Sequence, residues 1–338
     1  MKTIKIGIIG CGGMGNYHSK YLSQMEGVEI YACADISEDN LKTFKEKYKV
    51  PNVFSDYKKL LKLKELDAIF VCLPTYLHKE QVLIGAKEGK HIFCEKPIAL
   101  KIKDAEKMVE VCQNNKVQFM IGFVRRFDNF WGKIREMVLN KEIGRPVLWR
   151  QMFGGGPPPF PWYMDAKKGA GPFIDGCVHN YDFCRYIFGE AEFAIGCDKK
   201  LAKNFSAIDT GTVVIQFKSG DQHILNWTWG LPKGTIASSA QDILGPEGSI
   251  IFEGYFDTKL LPEKFNPDKE GAFLICKGEN RKVITYQKND MFSEQVSHFI
   301  DCVRKNTTPK VTGIDGLKAL EIGLSVLKSF QKKKIIKI

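Results

Sequence analysis

The sequence predicts an α/β protein in two parts: an N-terminal domain on a doubly wound parallel sheet, and a C-terminal α+β domain on a large, mostly antiparallel sheet. Three observations predict it. The apolar run Ile4, Ile6, Ile8, Ile9 breaks into Gly10-Cys11-Gly12-Gly13-Met14-Gly15. Strand and helix patterns then alternate as far as residue 122, which is the signature of a parallel sheet. Beyond that point come short strand patterns parted by turn residues. At 338 residues the chain exceeds one hydrophobic core, so two domains are expected, 1–123 and 124–338.

The first strand ends in the glycine turn, and a helix carrying Tyr21, Leu22 and Met25 leads to a second strand at 28–34, closed by Asp35. Residues 38–49 have a helical pattern, 53–54 a brief strand, and Ser55 or Asp56 caps a helix bearing Leu60 and Leu61. Residues 68–73 are continuously apolar, as in a central strand covered on both faces. That run stops at Pro74-Thr75. A helix to about Lys87, a strand at 91–94, Glu95-Lys96-Pro97, a helix around 104–112 and a strand at 117–122 complete the domain.

From Arg125 the rhythm changes. A helical stretch reaches Leu139, residues 146–153 read as a strand, and Gly154-Gly155-Gly156-Pro157-Pro158-Pro159-Phe160-Pro161 has to be a loop. One helix is expected to carry Asp175, His179 and Asp182. Strands follow at 192–197, 211–217, 223–229, 237–244, 249–252, 273–276 and 283–286, with clear turns at 218–221 and 245–248. Helices at 292–303 and 316–330 close the chain, and are expected to pack back near the domain junction.

Lysine and arginine outnumber aspartate and glutamate by 50 to 39, but the lysines are dispersed and not interleaved with aromatics. The excess reads as a solvated basic surface, with no nucleic-acid partner. Lys332-Lys333-Lys334 is read the same way. Ten cysteines include no CxxC pair and no Cys/His ligand spacing, so no metal is expected and the thiols read as reduced, in a cytoplasmic protein. Lys2 and Lys5 interrupt the first apolar stretch, which makes it a strand and not a signal peptide. No run approaches a membrane span, so no membrane partner is expected.

A glycine turn alone is common. Here it follows a strand, opens a helix and has an acid about 20 residues further on, which together form the dinucleotide fingerprint of a Rossmann domain. Gly10, Cys11, Gly12, Gly13 and Met14 are therefore assigned to the cofactor, because side chains at the glycines would obstruct the turn or the approaching phosphate. Asp35 should accept from the ribose hydroxyls. Against a 2′-phosphate it would be repulsive by ~4 kcal/mol, taking unit charges at about 4 Å and an effective dielectric of about 20, so NAD is expected over NADP.

With Glu95-Lys96-Pro97, the Asp175/His179 spacing and Gly122-Phe123-Val124-Arg125-Arg126-Phe127-Asp128 added, the chain resembles the glucose-fructose oxidoreductase, inositol dehydrogenase and rhizopine catabolism (Gfo/Idh/MocA) family over nearly its whole length. The resemblance implies a dehydrogenase that moves a hydride between nicotinamide and a secondary alcohol of a cyclic polyol, sugar or related compound. That chemistry needs a base for the hydroxyl proton and a donor or cation for the developing alkoxide. Lys96 and His179 can supply these.

By resemblance, Lys96 polarises the reacting oxygen and anchors substrate and nicotinamide ribose, Glu95 lies near that ribose, and the Lys96–Pro97 bond is cis. Asp175 and His179, four apart, would share a helix face. Asp175 would then orient the imidazole or bind a hydroxyl, and Asp182 would bind another. Spacing does not decide which of Lys96 and His179 takes the proton.

Leu73, Pro74, Thr75 and His78 are expected to border the nicotinamide, with helix capping as the alternative for Thr75. Arg126 touches substrate, as the resemblance implies, or pairs with Asp128 or makes a domain contact; Trp162, with Tyr163 and Asp165, walls the pocket; His18 reads as a packed helix histidine. The free sheet face bearing Trp227 and Trp229 is expected to build a homodimer or homotetramer. Two rival functions fit the same pattern: an NAD-dependent glycosidase using transient oxidation and elimination, and a non-catalytic dinucleotide-binding sensor.

Overall fold

A computed structural model describes residues 3–338, which leaves Lys2 outside the described residues. The chain divides into two compact units, Met1–Val124 with Phe292–Leu320 and Arg125–Met291 with Glu321–Ile338.

The first unit holds β1 (Ile4–Ile9), α1 (Gly13–Leu22), β2 (Val28–Ala34), α2 (Glu38–Tyr48), β3 (Asn52–Phe54), α3 (Tyr57–Leu61), β4 (Ala68–Val71), α4 (His78–Lys87), β5 (His91–Cys94), α5 (Ile102–Asn114) and β6 (Phe119–Ile121). Its six strands form one sheet in the order β3-β2-β1-β4-β5-β6, every pair parallel. Strand order reverses between β1 and β4, so the carboxyl ends of these strands flank a crevice where such sheets bind ligands. All four residues of β4 are fully buried, as their unbroken apolar run requires of a strand covered on both faces. The side chain of Ser37 caps α2, and Asp56, not Ser55, caps α3.

The second unit holds α6 (Asn129–Leu139), β7 (Leu148–Gly154), α7 (Val178–Phe188), β8 (Ala191–Lys199), β9 (Thr210–Phe217), β10 (Gln222–Thr228), β11 (Ala240–Gly245), β12 (Gly248–Phe252), β13 (Glu270–Lys277) and β14 (Asn280–Gln287). α8 (Met291–Lys305) and α9 (Gly313–Lys332) follow, and then β15 (Ile336–Lys337). The nine-stranded sheet runs β14-β13-β12-β11-β7-β10-β9-β8-β15. It is antiparallel except where β7 pairs with β10. Along β9 burial alternates strictly, with Gly211, Val213, Ile215 and Phe217 on the packed face, the period of a sheet covered on one side. Trp149 and Phe183 meet edge to face in the core beneath it.

The helical stretch expected from Arg125 to Leu139 is broken. Val124–Phe127 is a short 3-10 turn, and Asp128 then caps α6 by accepting from the amide of Phe130. A second break separates Asp175 from His179. Pro172–Gly176 is one π-helical turn, with the Cys177 amide bonded to the Pro172 carbonyl, and α7 starts only at Val178. Gly171, at φ +75°, and Pro172 open that turn. A Cβ on Gly176 would stand 2.7 Å from the Trp229 ring, so the turn packs tightly on that indole. Among the described residues no helix is long and apolar enough to cross a membrane.

Candidate active site

The glycine turn closes where β1 ends. Gly10 has φ +96°, and a Cβ there would lie 2.4 Å from the Cys72 carbonyl oxygen; at Gly15 it would lie 1.9 Å from that of Gly10. Neither position tolerates a side chain. Added carbons at Gly12 and Gly13 would meet no protein atom, so the backbone there is open to close approach. No side chain caps α1, which leaves its first amides for an anion. Asp35 pins the turn: Oδ2 accepts from the Cys11 amide at 2.7 Å and Oδ1 from the Ser37 amide at 2.8 Å. A carboxylate has further lone pairs for two hydroxyls. These residues fit a dinucleotide.

Cys11 takes part through its backbone. Its buried thiol points to the Ala34 carbonyl, and the Cys33 thiol, then burial, push its pKa far above the ordinary range. Met14 is half-buried at the start of α1.

Leu73 and Pro74 lie half-buried just past β4. Thr75 opens a 3-10 turn without capping it, and its buried Oγ1 has no partner among the described residues. A bound ligand would satisfy that hydroxyl. His78 differs from the expectation that it borders the nicotinamide. It has no exposed surface, and its ring nitrogens face two carbonyls, Nδ1 that of Pro97 at 2.9 Å and Nε2 that of Leu73 at 2.8 Å.

At the end of β5, Glu95 Oε1 lies 2.7 Å from Nε2 of the fully buried His18, and Oε2 accepts from the Lys96 amide at 3.2 Å. Burial alone would raise the Glu95 carboxyl; the hydrogen bond and charge of His18, and then Lys96, outweigh it and hold the pKa below the ordinary value. Gly122 leaves room for this carboxylate, since a Cβ there would stand 3.1 Å from Oε2. His18 packs among Phe70, Phe93 and Phe292, as expected, but it is also the partner that holds Glu95. The sequence could mark His18 as buried; it could not say which acid satisfies it. Lys96 is half-buried, and its bond to Pro97 is cis.

In the second unit, Asp175 is 2% exposed within the π turn, while His179 is half-buried in the first turn of α7. They do not share one α-helical face, because the helix begins between them. Asp182 and Arg126 are paired with each other: Arg126 Nε and Nη2 donate to Asp182 at 2.9 and 2.5 Å, with side chains 4% and 1% exposed. A bidentate pair at that burial leaves a substrate little to touch.

Sequence reasoning also missed a polar link under α7. Gln151 Oε1 accepts from Asn180 Nδ2 at 2.5 Å and from His223 Nε2 at 2.9 Å, all three buried. Burial drives the His223 pKa down to about 3. Trp162 stacks on Tyr163 with ring centroids 3.8 Å apart, just beyond the proline loop.

Comparison with known proteins agrees with this anatomy. Residues 4–123 match the oxidoreductase family NAD-binding Rossmann fold, and residues 135–338 match the C-terminal alpha/beta domain of the same family. A myo-inositol 2-dehydrogenase of Thermotoga maritima is 31% identical, the match covering 99% of this chain and 98% of that one. A 2,7-anhydro-N-acetylneuraminate hydratase of Mediterraneibacter gnavus is 30% identical over 93% of this chain and 86% of its own. The crystal structure of a probable dehydrogenase from Thermotoga maritima superposes with a TM-score of 0.78 at 29% identity, over 99% of this chain and 98% of that one. The chain matches both domain descriptions and nearly the full length of such relatives, and it belongs to the Gfo/Idh/MocA oxidoreductase family, whose N-terminal domain is an NAD-binding Rossmann fold.

Proposed function

We propose that this oxidoreductase oxidises a secondary alcohol of a cyclic polyol of the inositol kind, or of a sugar, reversibly. The observation that carries the reading is the Glu95-Lys96-Pro97 turn, with an ammonium-bearing side chain half-buried at a strand end beside the dinucleotide crevice. NAD, when bound, supplies the hydride acceptor. Lys96 Nζ donates to the reacting oxygen and to the nicotinamide ribose. His179 takes the hydroxyl proton, Asp175 orients its imidazole or holds a neighbouring hydroxyl, and Trp162 walls the pocket. Gly10–Met14, Asp35, Leu73, Pro74, Thr75 and Glu95 hold the dinucleotide. The protein acts in the cytoplasm as a homodimer or homotetramer built on the nine-stranded sheet.

Asp35→Ala removes the acceptor for the ribose hydroxyls and the tie to the Cys11 amide. The Kd for NADH should rise at least about tenfold, the cost of one or two lost charged hydrogen bonds. Fluorescence titration checks this; an unchanged Kd dismisses the role.

One other reading fits the same residues, an NAD-dependent glycosidase whose NAD is reduced and reoxidised in place. Incubation of the protein with NAD and a panel of inositols and sugars, followed by absorbance of reduced nicotinamide and by product analysis, separates the two. NADH accumulating in step with ketone supports the dehydrogenase. Product formed without net NADH replaces it with the retained-cofactor cycle.

A further inference from the structure

His78 opens α4 at the carboxyl end of β4 and stands on two backbone carbonyls, those of Leu73 and Pro97. These belong to separate loops, leaving the neighbouring strands β4 and β5. One loop carries Leu73, Pro74 and Thr75; the other carries Lys96. A neutral imidazole donates one N–H and a protonated one donates two, so either tautomer ties one loop and the imidazolium ties both.

Lys96 is held from its other side as well. Its amide donates to Glu95 Oε2, and Glu95 Oε1 is fixed by His18. The residue before Lys96 and the residue after it are therefore each anchored by a buried histidine. Burial pulls the His78 pKa below its ordinary value, while the Leu73 carbonyl, the Glu95 charge and the Pro97 carbonyl act the other way.

We propose that His78 is a positioning residue for hydride transfer: it couples the loop after β4 to the Lys96–Pro97 peptide, and so fixes where the Lys96 ammonium stands, without touching the cofactor. The proposal rests on the reading of Lys96 as the group at the reacting oxygen. A histidine that merely filled the core would affect stability alone. One that touched the dinucleotide would affect NADH affinity. A positioning role affects kcat.

The test measures kcat, KM for myo-inositol, Kd for NADH and Tm in the full-length protein for His78→Phe, His78→Asn and, beside them, Lys96→Met. His78→Phe fills the space and donates to neither carbonyl. It should lower kcat by about tenfold or more, the scale of a misplaced catalytic group, with the NADH Kd changing by less than kcat does. The Asn amide can still donate to one carbonyl, so His78→Asn should recover part of kcat. Should His78→Phe fail to fold, His78→Asn against His78→Leu makes the same comparison.

Three results would overturn the proposal: wild-type kcat in His78→Phe, a loss of NADH affinity matching the loss of kcat/KM, or no advantage of Asn over Phe. Wild-type turnover in Lys96→Met would instead remove the reading beneath it.

Discussion

Lys96→Met is expected to lower kcat by about 10²–10³-fold, the range for losing a donor at a developing alkoxide. Methionine keeps the length and apolar stem of lysine and loses only the ammonium. The turn that presents it should survive, because the backbone on either side is held by Glu95 and His78. The fold and the glycine turn are untouched, so Tm should stay near its wild-type value, and the NADH Kd should rise by no more than about tenfold, the loss of one hydrogen bond to the nicotinamide ribose. Steady-state turnover of myo-inositol with NADH titration and thermal melting alongside makes the check. Activity above about a tenth of wild type would mean that the ammonium contributes less than a single ordinary donor does, and Lys96 would then lose its place at the reacting oxygen.

The parts of this molecule that were legible in the sequence are those governed by local rules. The turn at Gly10–Gly15 is dictated by carbonyls of Cys72 and Gly10 that leave no room for a Cβ, and only glycines can answer that. Residues 68–71 had to be a central strand because nothing polar interrupts them, and β9 was legible from its alternation. Distant pairings were not legible. His18 and Glu95 are 77 positions apart and meet because α1 packs across β4 and β5. The parallel pairing of β7 with β10 inside an antiparallel sheet, and the two-residue strand β15, leave no period to read.

The spacing of Asp175, His179 and Asp182 misled for a related reason. The i,i+4 rule holds only within one helix, and Gly171, Pro172 and Gly176 impose a π turn before the helix begins.

Arg126 and Asp182 pair with side chains 4% and 1% accessible, and their behaviour should be that of a buried ion pair. Asp182→Ala is expected to destabilise the protein by about 3–5 kcal/mol, because it removes the carboxylate with which the buried Arg126 guanidinium pairs. The true cost includes a second arginine. Arg125 lies half-buried over the Trp131 ring; desolvation brings its pKa down to about 10, and Asp182 is among the groups acting the other way.

In a thermal melt the loss should appear as a fall in Tm on the order of 10 °C, read from the second unit's transition if the two units melt apart. The double variant Arg126→Met/Asp182→Leu distinguishes the possibilities. An ion pair that only balances its own desolvation can be exchanged for apolar packing, so the double variant should regain most of the Tm lost by Asp182→Ala. A pair that binds substrate hydroxyls would instead show near-normal melting in the single variant and a raised KM in both. The first outcome leaves substrate recognition in this unit to Asp175, His179 and Trp162. The second would require Arg126 and Asp182 to part when substrate arrives, exposing side chains that are 4% and 1% accessible here.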